Sequence, residues 1–386
     1  MSDHRAAGRA LLAGNFAIGC GVMVTAGSLN DLVRSLQVSV PVGGQLISVA
    51  AVMMALGAPL LAGAVSGWDR RRLLTLALLW YAVGHALSAL MPHYAALLPV
   101  RALTVLGAAV FTPQAAAAIN VMAPPAERGR AITFIFIGWS LSSVIGMPLH
   151  SYIGEAFGWR WAFALVAVLS ALAAAWVWRT LPDGIRPAAL SLAAWRSTLT
   201  HPLLMGVVAV TALSAAGQFT LFSYFAPYYR QVIGADAASV SFLFLWFGAF
   251  GLLGNILLQR VVDRQGAARC VTVALAGMAV SLLLWPLALT LFAMTAVLVP
   301  WALGCFSSNS AQQARLGAAA PALAPALMAL NTSAMYLGQA IGAGGGGAMV
   351  AASGFGALHW VALGWMLLAI GLSALLARRM ARPYDV

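Results

Sequence analysis

The sequence predicts an all-α membrane protein with twelve transmembrane helices, arranged as two pseudo-symmetric six-helix bundles. Three observations predict it. Hydrophobic residues make up 62% of the chain and charged residues 8%, too few polar groups to clothe a water-soluble surface. The apolar residues fall in runs long enough to cross a bilayer, at about 20 residues per helix, and each of the nine acidic residues lies outside those runs. Several short patterns also recur in the second half of the chain at a constant spacing.

The runs are taken in order. Helix 1 (9–29) follows the cations Arg5 and Arg9. Reading it as a cleaved signal peptide would leave eleven crossings and invert the charge asymmetry, so it is kept as a span. Helices 2 (42–66) and 3 (73–91) are separated by the polar stretch Trp68-Asp69-Arg70-Arg71-Arg72. Helix 4 (95–121) contains Arg101 and Gln114, and helix 5 (131–151) carries Ser142 and Gly146 at spacing four. Helix 6 (161–180) closes the first half. The longest polar interruption, 181–202, then divides the chain into bundles 1–180 and 203–386 joined by a linker. Helices 7 (203–228), 8 (238–260), 9 (269–288), 10 (290–314), 11 (322–349) and 12 (356–378) complete the second bundle. A soluble helical core would need polar faces at helical period, and runs such as Leu73–Leu90 and Val271–Leu289 offer almost none.

The net charge of +12 reflects topology rather than a nucleic-acid partner. With both termini cytoplasmic, the inner segments hold every arginine except Arg34, Arg160 and Arg230 outside and Arg101 within a run. That is the positive-inside bias. Cys20, Cys270 and Cys305 stand singly in three helices and lack metal-ligand spacing. No carboxylate pair, phosphate loop or nucleophile–base set is apparent, and the loops are too short for a catalytic domain. An enzyme is therefore not expected, and neither is a cofactor or metal.

Trp68-Asp69-Arg70 recurs as Val262-Asp263-Arg264, Phe111-Thr112-Pro113-Gln114 as Phe306-Ser307-Ser308-Asn309, and Ser142/Gly146 as Gly338/Gly342. All three matches share an offset of about 195 residues, half the chain. Two such halves are used by one major class of alternating-access transporters, with the substrate between them near the midplane.

Polar groups inside the runs are candidate substrate ligands, because a buried polar group needs a partner. Gln114 and Asn309 are expected either to face each other across a central cavity or to bond neighbouring backbone. Gln218, Phe222 and Phe225 fall at i, i+4, i+7 in helix 7, a stripe that serves either substrate stacking or packing. Tyr228 and Tyr229 are placed in the interfacial belt, and Asn331, Tyr336 and Gln339 add polar groups in helix 11. Trp139 is either a stacking wall or a gap filler. His85 is read as a hydrogen-bonded structural residue, and His93, His201 and His359 as helix-end residues. His150, near the outer end of helix 5, is expected as a solvated interfacial histidine or as a proton-coupling group. Arg101 is read as the sole arginine well inside the bilayer, bonded to carbonyls, hydroxyls or amides of helices 1 and 5 and to water. Because its guanidinium stays protonated, it tunes a proton carrier and is not one itself. Asp69 with Arg70, Arg71 and Arg72, and more weakly Asp263 with Arg264, is expected to latch the inner face by pairing across moving halves or capping helices.

Over essentially its whole length the chain resembles the major facilitator superfamily, within it bacterial drug/proton antiporters and arabinose- or sugar-efflux-like permeases. The resemblance rests on GAPLLAGAVSGWDRRRLL (57–74), on Arg101 in LLPVRALTVLGAAVF, and on GWSLSSVIGMPLH (138–150) with Gly138, Gly146 and Pro148. PPAERGRA (124–131), EAFGWRWAF (155–163) and LNTSAMYLGQAIGA (330–343) extend it. Gly67 occupies the loop motif's usual Asp place, and Val22 stands where many relatives carry an acid. The resemblance implies the major facilitator fold, a gating role for Gly146 and Pro148, and export of a small organic molecule by proton antiport. Uniport or exchange without protons, and ligand sensing without flux, stay open. A monomer in the bacterial inner membrane is expected, with a small-molecule substrate, protons and the lipid bilayer as partners.

Overall fold

The computed structural model describes residues 3–65, 67–124, 128–186, 192–320 and 323–380. Segment 124–131 of the resemblance and the linker 181–202 fall partly outside these residues, and so does the side chain of Asp263. The described residues are helical throughout their ordered elements and contain no strand.

Two compact units divide the chain, Met1–Ala189 and Leu190–Val386. The first contains α1 (Asp3–Gly27), α2 (Leu29–Ser35), α3 (Val40–Ala64), α4 (Arg70–Leu90), α5 (Tyr94–Thr104), α6 (Leu106–Met122), α7 (Arg128–Leu141), α8 (Met147–Phe157) and α9 (Trp159–Thr180). The second contains α10 (Leu192–Leu199), α11 (Pro202–Phe222), α12 (Phe225–Gln231), α13 (Ala237–Gln265), α14 (Ala267–Leu284), α15 (Leu291–Ala319), α16 (Ala324–Ser353) and α17 (Leu358–Met380).

Eleven described spans are long and apolar enough to cross a membrane, several formed by two helices in line, such as Tyr94–Ile119 and Pro202–Gln231. α16 is the twelfth: its 30 residues suffice in length, but Asn331, Gln339 and its glycines dilute its hydropathy. Exposed Leu56, Leu60, Trp80, Val83 and Leu87 in the first unit present the apolar surface that lipid requires. Buried hydroxyls bond back along their own helices, Ser88 to Gly84 O and Ser170 to Val166 O at 2.7 Å each. This satisfies polar groups where no water competes.

The two units are wired alike. α1 packs on α7 and α9, as α11 packs on α16 and α17; α4 meets α6 and α9, as α14 meets α15 and α17. The repeat extends to individual residues. A Cβ on Gly146 would lie 2.8 Å from Cys20 Sγ of α1, and one on Gly342 would run into the Ala216 carbonyl of α11. Only a glycine lets these helix pairs approach so closely. Between α7 and α8 the helix widens to a π turn, Ser142–Gly146, just before Pro148. Proline has no N–H for the carbonyl four residues back, and the wider turn absorbs that missing bond.

Three sequence expectations are corrected here. α15 continues to Ala319 and buries Arg315, 4% exposed, inside the bundle, so Arg101 is not the only interior arginine. Arg315 donates to Ser373 Oγ at 3.0 Å and Ser373 O at 3.3 Å on α17, which replaces the solvation it gives up. α11 stops at Phe222, so Phe225 begins a separate helix and the expected stripe is broken. Phe225 is fully buried, stacked on Trp285 at 5.6 Å and edge-on to Trp301 at 5.5 Å. Tyr228 and Tyr229 join this aromatic core instead of an interfacial belt, because the break turns them inward.

Candidate functional site

Each unit gathers polar groups inside its own bundle. In the first, α5 carries Arg101 into a fully packed interior, 1% exposed. Its Nη2 donates to the carbonyls of Gly21 at 2.8 Å and Val22 at 3.3 Å on α1. Its Nη1 meets His85 Nε2 at 3.1 Å, and its guanidinium lies 5.9 Å from the Phe163 ring. Arginine has no acceptor and a carbonyl has no donor, so the partners select the tautomer. His85 Nδ1–H donates to Tyr81 O at 2.9 Å, and Nε2 accepts from Arg101. His85 is therefore neutral while Arg101 is engaged. Tyr81 stands edge-on to it at 4.3 Å and donates its hydroxyl to Ile18 O at 3.1 Å. α1 supplies the carbonyls expected for Arg101, whereas helix 5 supplies no hydrogen bond to it among the described residues and α4 contributes the unexpected His85.

His150 also departs from expectation. It is fully buried in α8. Gly27 of α1 lies against its Cβ, so the two helices pack closely there.

Nearby at the same end of the unit, Asp31 on α2 accepts from the Trp159 backbone N–H at 2.7 Å and pairs with Arg34 at 2.8 Å. Glu155 completes that group 3.6 Å from Arg34. The Asp31 hydrogen bond holds the Arg34 guanidinium still more firmly protonated than usual.

At the opposite, basic end, Asp69 caps α4. Its Oδ1 accepts from Arg72 N at 3.2 Å and its Oδ2 from Gly184 N at 2.6 Å. Arg70 donates to Trp68 O at 2.8 Å and Val65 O at 3.2 Å. Arg71 reaches Trp178 O at 2.7 Å and Asp183 at 2.8 Å, and its guanidinium covers the Trp178 ring at 4.4 Å. The loop is thus stapled to residues 178–185 of its own unit, with Asp69 in the helix-capping role. Arg264 is exposed near the end of α13.

In the second unit the amides join a network. Thr211 Oγ1 donates to Asn331 Oδ1 at 2.6 Å, and Asn331 Nδ2 donates to Asn309 at 3.4 Å. Gln312 donates to Thr211 at 3.1 Å and to Val207 O at 2.8 Å. Gln218 accepts from Cys305 Sγ at 3.1 Å, so Cys305 is more than apolar filling. Tyr336 and Gln339 are buried on α16, at 5% and 3% exposure. Phe222 is 8% exposed and contacts Phe225 and Phe247.

Among the first unit's candidates, Gln114 is 9% exposed on α6 beside Pro113, and Trp139 holds a buried Nε1 without a partner. A node that the sequence reading missed lies close in the chain to both. Asn15 donates to Ile135 O at 3.1 Å and accepts from Thr112 Oγ1 at 3.0 Å. Asn15 to Ile135 and Thr211 to Asn331 have the same chain separation, 120 residues. Extending the repeat offset from Asn15 to Thr211 would have exposed this pairing of the first and fifth spans.

Residues 11–342 match the sequence profile described as the Major Facilitator Superfamily. The inner membrane transport protein YdhP of Escherichia coli (strain K12) is 29% identical over 89% of this chain and 88% of its own length. A chloramphenicol efflux pump of Mycobacterium tuberculosis is 31% identical over 62% of this chain and 58% of that protein. In fold, the chain superposes on the crystal structure of a D-xylose-proton symporter with a TM-score of 0.80, at 17% identity, covering 96% of this chain and 97% of that one.

Proposed function

The chain belongs to the major facilitator superfamily of membrane transporters, and we propose that it exports a small organic molecule, drug- or sugar-like, in exchange for protons. It works by alternating access in the inner membrane of a bacterium, as a monomer with both termini cytoplasmic and with bundles 1–180 and 203–386 joined by the cytoplasmic linker 181–202. The kinship with an efflux pump supports export.

The observation that carries proton coupling is the Arg101–His85 contact. The Nε2 atom has one lone pair, which either accepts the Arg101 hydrogen bond or takes a proton. Protonation therefore releases Arg101, and two adjacent cations in a dry interior repel. The freed guanidinium pulls on its α1 partners, Gly21 and Val22, so the state of one imidazole reaches the span that packs on α7 and α9. Tyr81 on α4 and Phe163 on α9 are the other groups facing this switch. His150 is the second proton site.

Substrate is held by Gln114, Trp139, Gln218, Asn309, Asn331, Tyr336 and Gln339, with Phe222 and Phe225 as the packing behind them. Gly146 and Pro148 flex, while Asp69 with Arg70–Arg72 and Asp263 with Arg264 act as the gate latch. Amides and rings without carboxylates suit neutral or weakly polar molecules.

Exchange without protons is the second reading, favoured by Val22 at the place where many relatives carry an acid. Proteoliposomes separate the two. Antiport predicts that adding substrate to vesicles with an imposed pH gradient discharges that gradient. Substrate exchange that leaves the gradient intact would overturn coupling, and ligand binding without flux would overturn transport.

A further inference from the structure

On the flank of the first unit, α4 and α9 enclose a groove of about 520 Å³. α4 lines it with Arg72, Thr75, Leu76 and Leu79, a repeat of three and four residues that keeps one helix face turned to it. α9 answers with Ala171, Ala174, Ala175 and Trp178 at the same spacing. Leucine ridges on one helix beside alanines on the other make a trough about two turns long, roughly 10 Å at the α-helical rise.

Its chemistry is graded along that length. Arg72 and Trp178 sit at the basic end, where α4 begins and α9 finishes. Arg71 is engaged by Asp183 and Trp178, while the Arg72 side chain makes no hydrogen bond or ion pair among the described residues. One turn deeper, the Thr75 hydroxyl is buried, 8% exposed, without a partner. A helical threonine often satisfies itself on the carbonyl four residues back, and the Thr75 hydroxyl does not. Beyond it the walls are alkyl only. A cation, then a hydroxyl, then an apolar trough is the order of phosphate, glycerol ester and acyl chain in a phospholipid, and Trp178 is the residue type that favours headgroup depth.

We infer that this groove binds an anionic phospholipid, its phosphate at Arg72, its ester carbonyl at Thr75 and one acyl chain along Leu76, Leu79, Ala171 and Ala175. The site is separate from the substrate and proton groups and does not rest on the direction or coupling of transport.

The test is native mass spectrometry of the purified chain with added phosphatidylglycerol or phosphatidylcholine of identical acyl chains. Wild type retains more phosphatidylglycerol. Arg72→Ala lowers that retention about fivefold, the factor one basic residue contributes at an anionic lipid surface, while phosphatidylcholine is unchanged. Thr75→Val weakens both lipids, and Ala171→Leu with Ala175→Leu, which fill the trough at exposed positions, displaces both. Arg72→Lys keeps most of the preference. Arg72 is exposed, and its backbone alone takes the Asp69 cap, so Arg72→Ala folds; circular dichroism and elution volume verify this, with Arg72→Gln as the alternative variant. Equal retention of the two lipids by wild type, or undiminished phosphatidylglycerol on Arg72→Ala, overturns the inference. So does a dimer that Ala171→Leu dissociates, since a second copy would then be the occupant.

Discussion

Replacing Arg101 by alanine removes the contact on which the coupling proposal turns. Two of its hydrogen bonds are short, 2.8 Å to Gly21 O and 3.1 Å to His85 Nε2. Bonds of this charged kind contribute about 1.5–3 kcal/mol each. The loss is smaller than their sum, because the variant no longer strips a guanidinium of water, and the α1 carbonyls lie in a regular helix. His85 Nε2 alone is left buried without a donor, at about 1–3 kcal/mol. The expected stability loss is therefore about 1–3 kcal/mol, read by thermal melting, and the protein still inserts. Coupled flux is abolished, because the His85 proton no longer has anything to displace. Arg101→Lys offers one ammonium in place of a fork that spans α1 and His85, so it keeps partial flux. His85→Phe also removes coupling while leaving Arg101 on α1. The assay is substrate and proton flux in proteoliposomes between roughly pH 6 and pH 8. Wild-type flux in Arg101→Ala across that range would refute the reasoning. A lowered melting temperature with an unchanged pH profile would reduce Arg101 to a structural strut.

The remaining predictions test other parts of the molecule. Asp69→Asn keeps the α4 cap but weakens the grip on Gly184, so it slows turnover with a stability change below about 1 kcal/mol; unchanged turnover in a folded variant excludes the latch. Gly342→Ala drives a methyl into the Ala216 carbonyl and lowers stability by about 1–3 kcal/mol in a melting experiment, whereas Gly345→Ala, with open space around its Cβ, is neutral. Gln114→Ala, Gln218→Ala and Asn309→Ala each weaken ligand binding by about 1–3 kcal/mol in a calorimetric titration; ligand affinity at wild-type level in all three removes them from the site. Asp236 caps α13, and its hydrogen bonds from Ser239 hold its carboxyl below the usual range. Its contribution is full above the ordinary carboxylate pKa and is lost as pH falls through the lowered value. Asp236→Asn, which caps without charge, shows no such loss in melting curves taken at descending pH.

The sequence alone determined the class of this protein. Hydropathy and charge add up residue by residue along the chain, so apolar runs, arginine-rich breaks and a half-length repeat are legible without coordinates. Even the spans that are two helices in line, such as α5–α6, read as single runs, because a bilayer sets their length. α15 shows the limit of that reading: an arginine looks like the end of a span until Ser373, 58 residues away, is found to receive it. Pairings were decided only in three dimensions. Arg101 was conspicuous as a buried charge, yet its partners lie 16 and 80 residues away, and a histidine gives no sign of which nitrogen it will offer. Asn15, Thr112, Thr211 and Gln312 looked like ordinary polar residues until helix packing paired Asn15 with Thr112 in one unit and Thr211 with Gln312 in the other. His150, placed near a helix end by its position in the sequence, is buried against α1, where Gly27 lies beside its Cβ. A residue's type and period say how it partitions between lipid and protein; what it touches depends on how closely the helices pack, and here glycines at facing positions decide that.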